Sequence, residues 1–435
     1  MEQALRGRPG ALDRRRPLPA VPDPDVRHLA TALAAAALSL AVPAPAPAAA
    51  GAGLAGVVGA AEPTGPDCPS VTEDYADQLT VGGSNAANER LQVPQAQEAA
   101  RALSGKKAGA GVTVVVVDTP FSSPDAAQPG TSSGHGLAAA GIIGGRDQAA
   151  PVRVDVGIAP EATVLSESFY TAPASQRSDG EVVPMASGLA TKLERIADQR
   201  SGAYRGRLVV LVPTQVPHSA ALEKQVARLV ASGALVVAAS GDRPEAGTFP
   251  EQLADDKVGE DAAGIVWPAA APGVLAVGVA DPSAGTVLRS SRIDLAAPGA
   301  GAVSRGLNGG WCTLTTPSTH WAAAQVAAVA ALVWSAHPDE DAATLTRRLE
   351  QTASGSGGRT SAVTGYGVVQ PVEAVQRRID TAPVPDADPM TPARPPREQA
   401  DVLAGAREDA VWWGLGGGAA LVVLIVLRPL LSRRR

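Results

Sequence analysis

The stretch VTVVVVD, Val112 to Asp118, decides the fold class of this 435-residue chain. Its continuous run of β-branched residues is typical of a strand that is buried on both faces. Four further strand candidates follow, at Thr163 to Ser168, Arg207 to Val212, Ala234 to Ala239 and Val274 to Val279. Between them lie segments with helical periodicity, marked by Leu189, Leu193 and Ile196 and by Leu222, Val226, Leu229 and Val230. Strands that alternate with helices predict an α/β fold with a mostly parallel sheet.

The composition excludes one class of function. The formal net charge is −6 and the interior of the chain has no long basic run, so the electrostatic footprint of a nucleic-acid binder is missing. Aromatic residues make up only 3% of the chain, so Val, Leu and Ala must fill most of the core. We expect one main globular domain and no nucleic-acid partner.

The first 50 residues are predicted to contain a signal peptide. An apolar run from Leu29 to Val42 follows the three arginines at 14–16 and precedes small residues between Ala44 and Ala50. The arginines also suggest a twin-arginine signal, but Pro17 follows at once and the apolar run is distant. We expect an exported protein.

A second apolar segment, Val411 to Leu427, predicts a membrane anchor. Its length is near the ~17 residues that a crossing needs. Trp412 and Trp413 stand at one end and arginines at the other, which places the C-terminus in the cytoplasm. A buried core helix is the alternative, and the three glycines at 416–418 argue against it. We therefore predict a transmembrane helix at 410–428, a cytoplasmic tail at 429–435, and a proline-rich linker at 379–409 that separates the membrane from an extracytoplasmic domain.

The chain has two cysteines, Cys68 and Cys312. In an exported protein an isolated pair indicates a disulfide before it indicates a reactive thiol. We predict a disulfide that ties the N-terminal region to the loop before residue 318.

Two polar residues are candidates for a catalytic role, one after a strand and one at the start of a helix. Asp118 directly follows the first strand, although an Asp in this position is also a common turn cap. His135 lies in GHGLAAAGIIGG, Gly134 to Gly145, whose small residues predict a helix that packs very closely on its neighbours. A histidine at such a helix start is either structural or catalytic.

These strings resemble the subtilisin family of serine proteases, whose motifs are a DTG-like turn, HGTxVAG and GTSxAAP, in that order. The resemblance covers Gly105 to Val375. Five further strings support it: VGIAPEA (156–162), VVAASGD (236–242), PGVLAVGVAD (272–281), DLAAPG (294–299) and GYGVVQPVEAV (365–375). It implies a subtilisin-like three-layer domain at 105–378, preceded by an N-terminal extension at 51–104. The signal peptide, extension, linker and single span are similar to the mycosin branch, which accompanies type VII secretion systems.

The resemblance also implies roles for individual residues. Asp118 matches the acid that orients the histidine, although Pro120 stands where the family has glycine, and His135 matches the general base. The nucleophile motif aligns with STHWAAA, 318–324, and puts His320 at the serine position. A two-residue slip would make Ser318 the nucleophile, but it would place His320 and Trp321 where small residues must pack. Imidazole is a possible nucleophile, but it lacks the geometry of the serine hydroxyl.

A second departure affects the oxyanion position. The family has AAxGN, and its asparagine amide donates to the developing oxyanion; here AASGD ends in Asp242. Asp118, His135, Asp242 and His320 could together ligate a metal, but the flanking sequence lacks ligand-type spacing. Cys312 as a replacement nucleophile conflicts with the disulfide. We predict no metal and no cofactor.

The resemblance and its departures together imply a function. We expect a membrane-anchored pseudoprotease that keeps the fold as a scaffold beside type VII secretion subunits. The alternative is an active serine endopeptidase that processes exported proteins with an atypical site.

Overall fold

The computed structural model describes residues 64–72, 79–176, 178–281, 283–355 and 359–379, together with 412, 415, 418–420, 423 and 425. The chain divides into two units, residues 1–58 and 59–435, and every described residue belongs to the second.

A parallel sheet forms the centre of this unit. Its strands among the described residues are β1 (Val112–Val116), β2 (Thr163–Ser166), β3 (Arg207–Val212), β4 (Leu235–Ala239), β5 (Val274–Val279) and β6 (Leu295–Ala297). They lie in the order β2-β1-β3-β4-β5-β6, and every neighbouring pair is parallel. The change of direction beside β1 creates a crevice at the carboxyl ends of the strands, where α/β proteins bind ligands.

Helices cover both faces of the sheet. The helices are α1 (Ala86–Arg90), α2 (Val93–Ser104), α3 (His135–Gly144), α4 (Ala186–Asp198), α5 (Ala220–Ala231), α6 (Thr319–Ala336), α7 (Ala342–Thr352) and α8 (Pro371–Gln376). One face packs on α4 and α5, and the other packs on α6 with α2, α3, α7 and α8 around it. The expected three-layer α/β architecture is therefore confirmed.

The valine run of β1 serves both layers. Val114 and Val116 belong to the apolar cluster on the α6 side, whereas Val115 and Val117 belong to the cluster on the α4 and α5 side. Successive side chains of a strand point to opposite faces, so a strand covered on both sides is apolar at nearly every position, and in β1 only the partly buried Thr113 departs from this. This explains why the strand reads as an unbroken run.

Helix α6 is the central helix of the fold. Every residue of α6 except His320 is buried, and the helix contacts five of the six sheet strands as well as α2, α3, α7 and α8. Its many alanines let neighbours approach on all sides, which a helix apolar all round requires. His320, at the second position of α6, faces the crevice.

The sequence predicted five strands correctly within two residues at their ends and missed three. The missed strands are β6 and the antiparallel hairpin of β7 (Ala302–Arg305) and β8 (Trp311–Leu314). β6 has three residues and each hairpin strand has four, which is too short for a periodic pattern to stand out. These strands form because their backbones pair with other segments of the chain, and not because their own residues strongly favour a strand.

The predicted disulfide is confirmed. Cys68 and Cys312 are bonded across 244 residues. Cys312 lies in β8 and not in a loop, which corrects that detail of the prediction. The described part of the N-terminal extension belongs to the same core: Val93, Ala96 and Ala100 of α2 are buried with the residues of α6.

Several predicted segments fall outside this description. The signal peptide at 1–50, the tail at 429–435 and nearly all of the linker at 379–409 lie outside the described residues, as do most residues of the transmembrane helix predicted at 410–428. Within the part of the chain that the structure describes, no helix is both long and apolar enough to cross a membrane.

Candidate active site

Four titratable side chains meet at the carboxyl edge of the sheet. Asp118 follows β1 and Asp242 follows β4, while His135 and His320 begin α3 and α6 on the adjacent layer. Parallel strands end at one edge, so residues far apart in sequence converge there. The structure brings together all four residues that the sequence singled out.

Asp118 is completely buried and accepts three hydrogen bonds on one oxygen. Its Oδ1 accepts from Thr119 N at 2.7 Å, from His135 Nδ1 at 2.9 Å and from the Tyr170 hydroxyl at 3.0 Å. Its Oδ2 is buried and has no hydrogen-bond partner among the described residues. The carboxylate thus caps its own turn and also holds His135 by a hydrogen bond, while its catalytic role stays a prediction.

Close packing fixes His135 at the start of α3. Gly136 N donates to Thr119 Oγ1, and a Cβ on Gly136 would lie 2.3 Å from the Thr119 carbonyl oxygen. The helix can approach the turn after β1 this closely only because that residue is glycine. His135 Nδ1 faces Asp118, and Nε2 points toward α6.

The second ring nitrogen of His135 meets another imidazole. His135 Nε2 lies 3.0 Å from His320 Nδ1, and the two rings are nearly perpendicular, with an interplanar angle of 83°. The other nitrogen of His320, Nε2, is buried and lacks a hydrogen-bond partner among the described residues. The closest acidic group is Asp242, whose Oδ2 is 3.9 Å away.

The two histidines differ in proton affinity. Burial lowers the pKa of His135, but the charge and the hydrogen bond of Asp118 outweigh it and leave that pKa above its usual value. Burial also lowers the pKa of His320; Asp242 opposes this, His135 adds to it, and the pKa stays below its usual value. The pair therefore takes its first proton on His135.

Among the described residues, no hydrogen bond joins Ser318 to His135. Ser318 is the N-cap of α6, and its Oγ accepts from His320 N at 3.1 Å and donates to Asp242 Oδ2. The hydroxyl thus both donates and accepts within the start of α6. This arrangement places His320, rather than Ser318, against His135.

The Asp242 carboxylate is directed at the start of α6. Its Oδ1 accepts from Thr319 N and from Thr319 Oγ1, each at 2.7 Å, and its Oδ2 accepts from Ser318. An anion at a helix N-terminus is stabilised by unpaired amides and by the helix dipole. The oxyanion position assigned to Asp242 from the motif stays a prediction, but the partners of the carboxylate are now defined.

Two aromatic residues complete the site and were not predicted. The Tyr170 hydroxyl lies 3.3 Å from His135 Nδ1, and burial together with the Asp118 charge raises the pKa of Tyr170 well above its usual value. The Trp321 ring lies against His135 with 4.6 Å between centroids. Tyr170 follows a predicted strand at the same sheet edge, and that position was the only available signal for it.

An open cleft of about 340 Å³ adjoins these residues. Its walls come from segments near Ser132, Pro173, Pro217 and Phe249, and Pro69 of the N-terminal extension borders it. Across the described residues, no group of three or more His, Cys, Asp or Glu is arranged to hold a metal ion.

Known proteins with similar sequences are subtilases, and one of them is a mycosin. Residues 109–367 match the model of the subtilase family, peptidase S8. Mycosin-1 of Mycolicibacterium smegmatis is 29% identical over 426 residues, which covers 83% of this chain and 91% of that protein.

Two solved structures that resemble this chain are also mycosins. A crystal structure of MycP1 with its N-terminal propeptide removed is 26% identical, has a TM-score of 0.51, and is matched over 68% of this chain and 98% of its own. A second, described as MycP1 from the ESX-1 type VII secretion system, is 26% identical with a TM-score of 0.50, over 76% and 93% of the two chains.

Proposed function

The chain belongs to the subtilase family, and from this premise we propose that it is a membrane-anchored, mycosin-like pseudoprotease that serves as a scaffold at a type VII secretion complex. Residues 105–378 would form the extracytoplasmic domain, with Asp118 and His135 as remnants of the catalytic machinery and His320 in place of the nucleophile.

One observation is the main support for the proposed loss of hydrolysis. The Nε2 atom of His135, which in the family takes the proton of a serine hydroxyl, instead lies 3.0 Å from His320 Nδ1. The nearby hydroxyl of Ser318 donates to Asp242. Because no serine hydroxyl is hydrogen-bonded to His135 Nε2, the family route to an acyl-enzyme has no nucleophile.

The imidazole of His320 does not replace the missing hydroxyl. Attack on a carbonyl needs an exposed nitrogen lone pair, but His320 Nδ1 faces His135 and His320 Nε2 is buried. Neither nitrogen is open to a substrate in the cleft. This favours the pseudoprotease over the alternative, an active endopeptidase with an atypical site.

The scaffold role rests on two kinds of support. The similar MycP1 is described as part of the ESX-1 type VII secretion system. The sequence of this chain adds the apolar segment Val411 to Leu427, which would anchor the domain outside the cytoplasmic membrane.

Hydrolysis is tested by labelling the full chain with a fluorophosphonate probe and assaying peptide hydrolysis, with an active subtilisin as positive control. We expect neither labelling nor turnover from the wild type or from Ser318→Ala. If the wild type is labelled and Ser318→Ala abolishes the labelling, the protein is an active protease with Ser318 as its nucleophile.

The scaffold role needs a separate test. We expect the full chain to co-purify with secretion-complex subunits from native membranes, and His135→Ala to do so equally well. Failure of the wild type to co-purify with any such subunit would contradict the scaffold proposal.

A further inference from the structure

We propose that Ser318 and Asp242 fill, from within the chain, the place where a substrate oxyanion would bind. This inference rests on the proposed loss of hydrolysis and adds a second, independent barrier to it. The site would remain blocked even if a serine stood at position 320.

Acyl transfer needs free hydrogen-bond donors where the oxyanion develops. In serine proteases the backbone amide of the nucleophile residue is one of them, and in this family a side-chain amide is another. The corresponding groups in this chain are His320 N and the side chain of Asp242.

The first donor is already occupied. His320 N donates to Ser318 Oγ at 3.1 Å, so a hydroxyl oxygen stands where the substrate oxygen would be received. Ser318 has one hydroxyl proton, and that proton goes to Asp242 Oδ2. Its oxygen is therefore held toward His320 N as an acceptor.

The second donor is replaced by an acceptor. An ionised carboxylate only accepts hydrogen bonds, and the two oxygens of Asp242 are engaged by Ser318 and Thr319. An approaching oxyanion would meet like charge instead of an N–H group.

The neighbouring amides are also used inside the chain. Gly241 N donates to Thr319 Oγ1 at 3.2 Å, and Asp242 N donates to Gln215 Oε1 at 2.6 Å. Thr319 N donates to Asp242 Oδ1. The loops that meet at the start of α6 thus satisfy one another, which stabilises the fold and leaves these donors unavailable to a ligand.

The experiment restores the nucleophile with and without these two side chains. Full-length His320→Ser, His320→Ser/Ser318→Gly and His320→Ser/Ser318→Gly/Asp242→Asn are compared by fluorophosphonate labelling rate and by peptide hydrolysis. Gly at an N-cap costs little stability relative to Ser, and Asn keeps an acceptor for Thr319, so the triple variant is designed to fold.

We expect His320→Ser to label slowly and the triple variant to label at least ~10²-fold faster, as recovery of an oxyanion donor predicts. The gain should appear in kcat with KM little changed, since the oxyanion exists only in the transition state. The matched control is His320→Ser/Ser219→Gly, which makes the same change at the N-cap of α5. It should label no faster than His320→Ser.

Two outcomes would overturn the proposal: equal labelling of His320→Ser and the triple variant, or an equal gain in the Ser219 control. If the triple variant loses cooperative thermal unfolding, His320→Ser/Ser318→Ala decides the question. This variant keeps Asp242 and its hydrogen bonds from Thr319, so the start of α6 stays capped. That variant should still label faster than His320→Ser, and no gain would overturn the proposal. Labelling of the wild type would instead refute the proposed function.

Discussion

His135 Nε2 and His320 Nδ1 lie 3.0 Å apart, with Asp118 on the outer nitrogen of His135 and Asp242 3.9 Å from the outer nitrogen of His320. Only one proton can lie between the two facing nitrogens. The four side chains therefore form a coupled chain in which the charge of one histidine depends on that of the other.

The first prediction concerns the order of protonation. His135 has a raised pKa and His320 a lowered one, so His135 should titrate at the higher pH in side-chain ¹⁵N NMR of the folded domain. Asp118→Asn should lower the pKa of His135, because it removes the charge that raises it. Titration of His320 at a higher pH than His135 would contradict this order.

The same shifts have opposite effects on stability. A raised His135 pKa stabilises the fold at low pH, and this contribution is lost as pH rises through the folded pKa. The lowered pKa of His320 destabilises the fold as pH falls through its unfolded value of about 6.5. His320→Gln should remove the second effect, as urea unfolding between pH 5 and 8 would show.

The second prediction concerns Asp242 as a structural residue. Asp242→Ala removes the acceptor for Ser318 Oγ, Thr319 N and Thr319 Oγ1, so we expect the free energy of unfolding to fall by about 2–3 kcal/mol. Asp242→Asn should cost less, because one acceptor oxygen remains. The control is Asp341→Ala at the exposed N-cap of α7, where only contacts to Thr344 are lost and about 1 kcal/mol is expected. Equal losses in urea unfolding would refute the larger role of Asp242.

The third prediction concerns a half-buried carboxyl away from the site. Burial and the nearby Asp294 raise the pKa of Glu350 to about 7. The folded protein therefore holds this proton more tightly than the unfolded chain, and the contribution to stability is lost as pH rises from about 4.5 to about 7. Glu350→Gln should make the protein relatively more stable at pH 8, on the order of 1–3 kcal/mol.

Urea unfolding at pH 5 and pH 8 checks this effect. The exposed Glu245 provides the control, and Glu245→Gln should leave the pH dependence of wild type unchanged. If Glu350→Gln behaves in the same way, Glu350 is ionised in the fold without penalty.

The fourth prediction concerns the disulfide. Cys68→Ala/Cys312→Ala opens a link between residues 244 apart, so the free energy of unfolding should fall by about 5 kcal/mol in the chain-entropy model. Reductant should lower the unfolding midpoint of the wild type and leave that of the double variant unchanged. A wild type that is insensitive to reduction and equal to the variant would show that the bond adds no stability.

The fifth prediction concerns the anchor. A chain that ends at residue 410 should be exported and soluble, because the predicted proline-rich linker separates the span from the domain. Removal of residues 429–435 alone should leave the protein in the membrane fraction after carbonate extraction. If the longer truncation also remains there, the domain itself holds a membrane partner.

Local pattern in the sequence determined the layers of the fold and the identity of the four central residues. A strand buried on both faces is mostly apolar, so the β-branched run from Val112 to Val117 was visible without a structure, and the motif register put His320 opposite His135. Two cysteines in a chain that was expected to be exported likewise predicted one bond. These features depend on residues that are neighbours in sequence or on a simple count.

Only the tertiary structure decided which way the side chains point. The motif did not reveal that the Asp242 carboxylate binds Ser318 and Thr319, because only the packing of β4 beside α6 brings unpaired amides within its reach. The same holds for the hydrogen bond from the Tyr170 hydroxyl to Asp118 and for the pairing of β7 with β8. Both depend on segments that meet only after folding. Hydrogen bonds act over about 3 Å, so a pattern along the chain cannot reveal them until the sheet has brought their partners together.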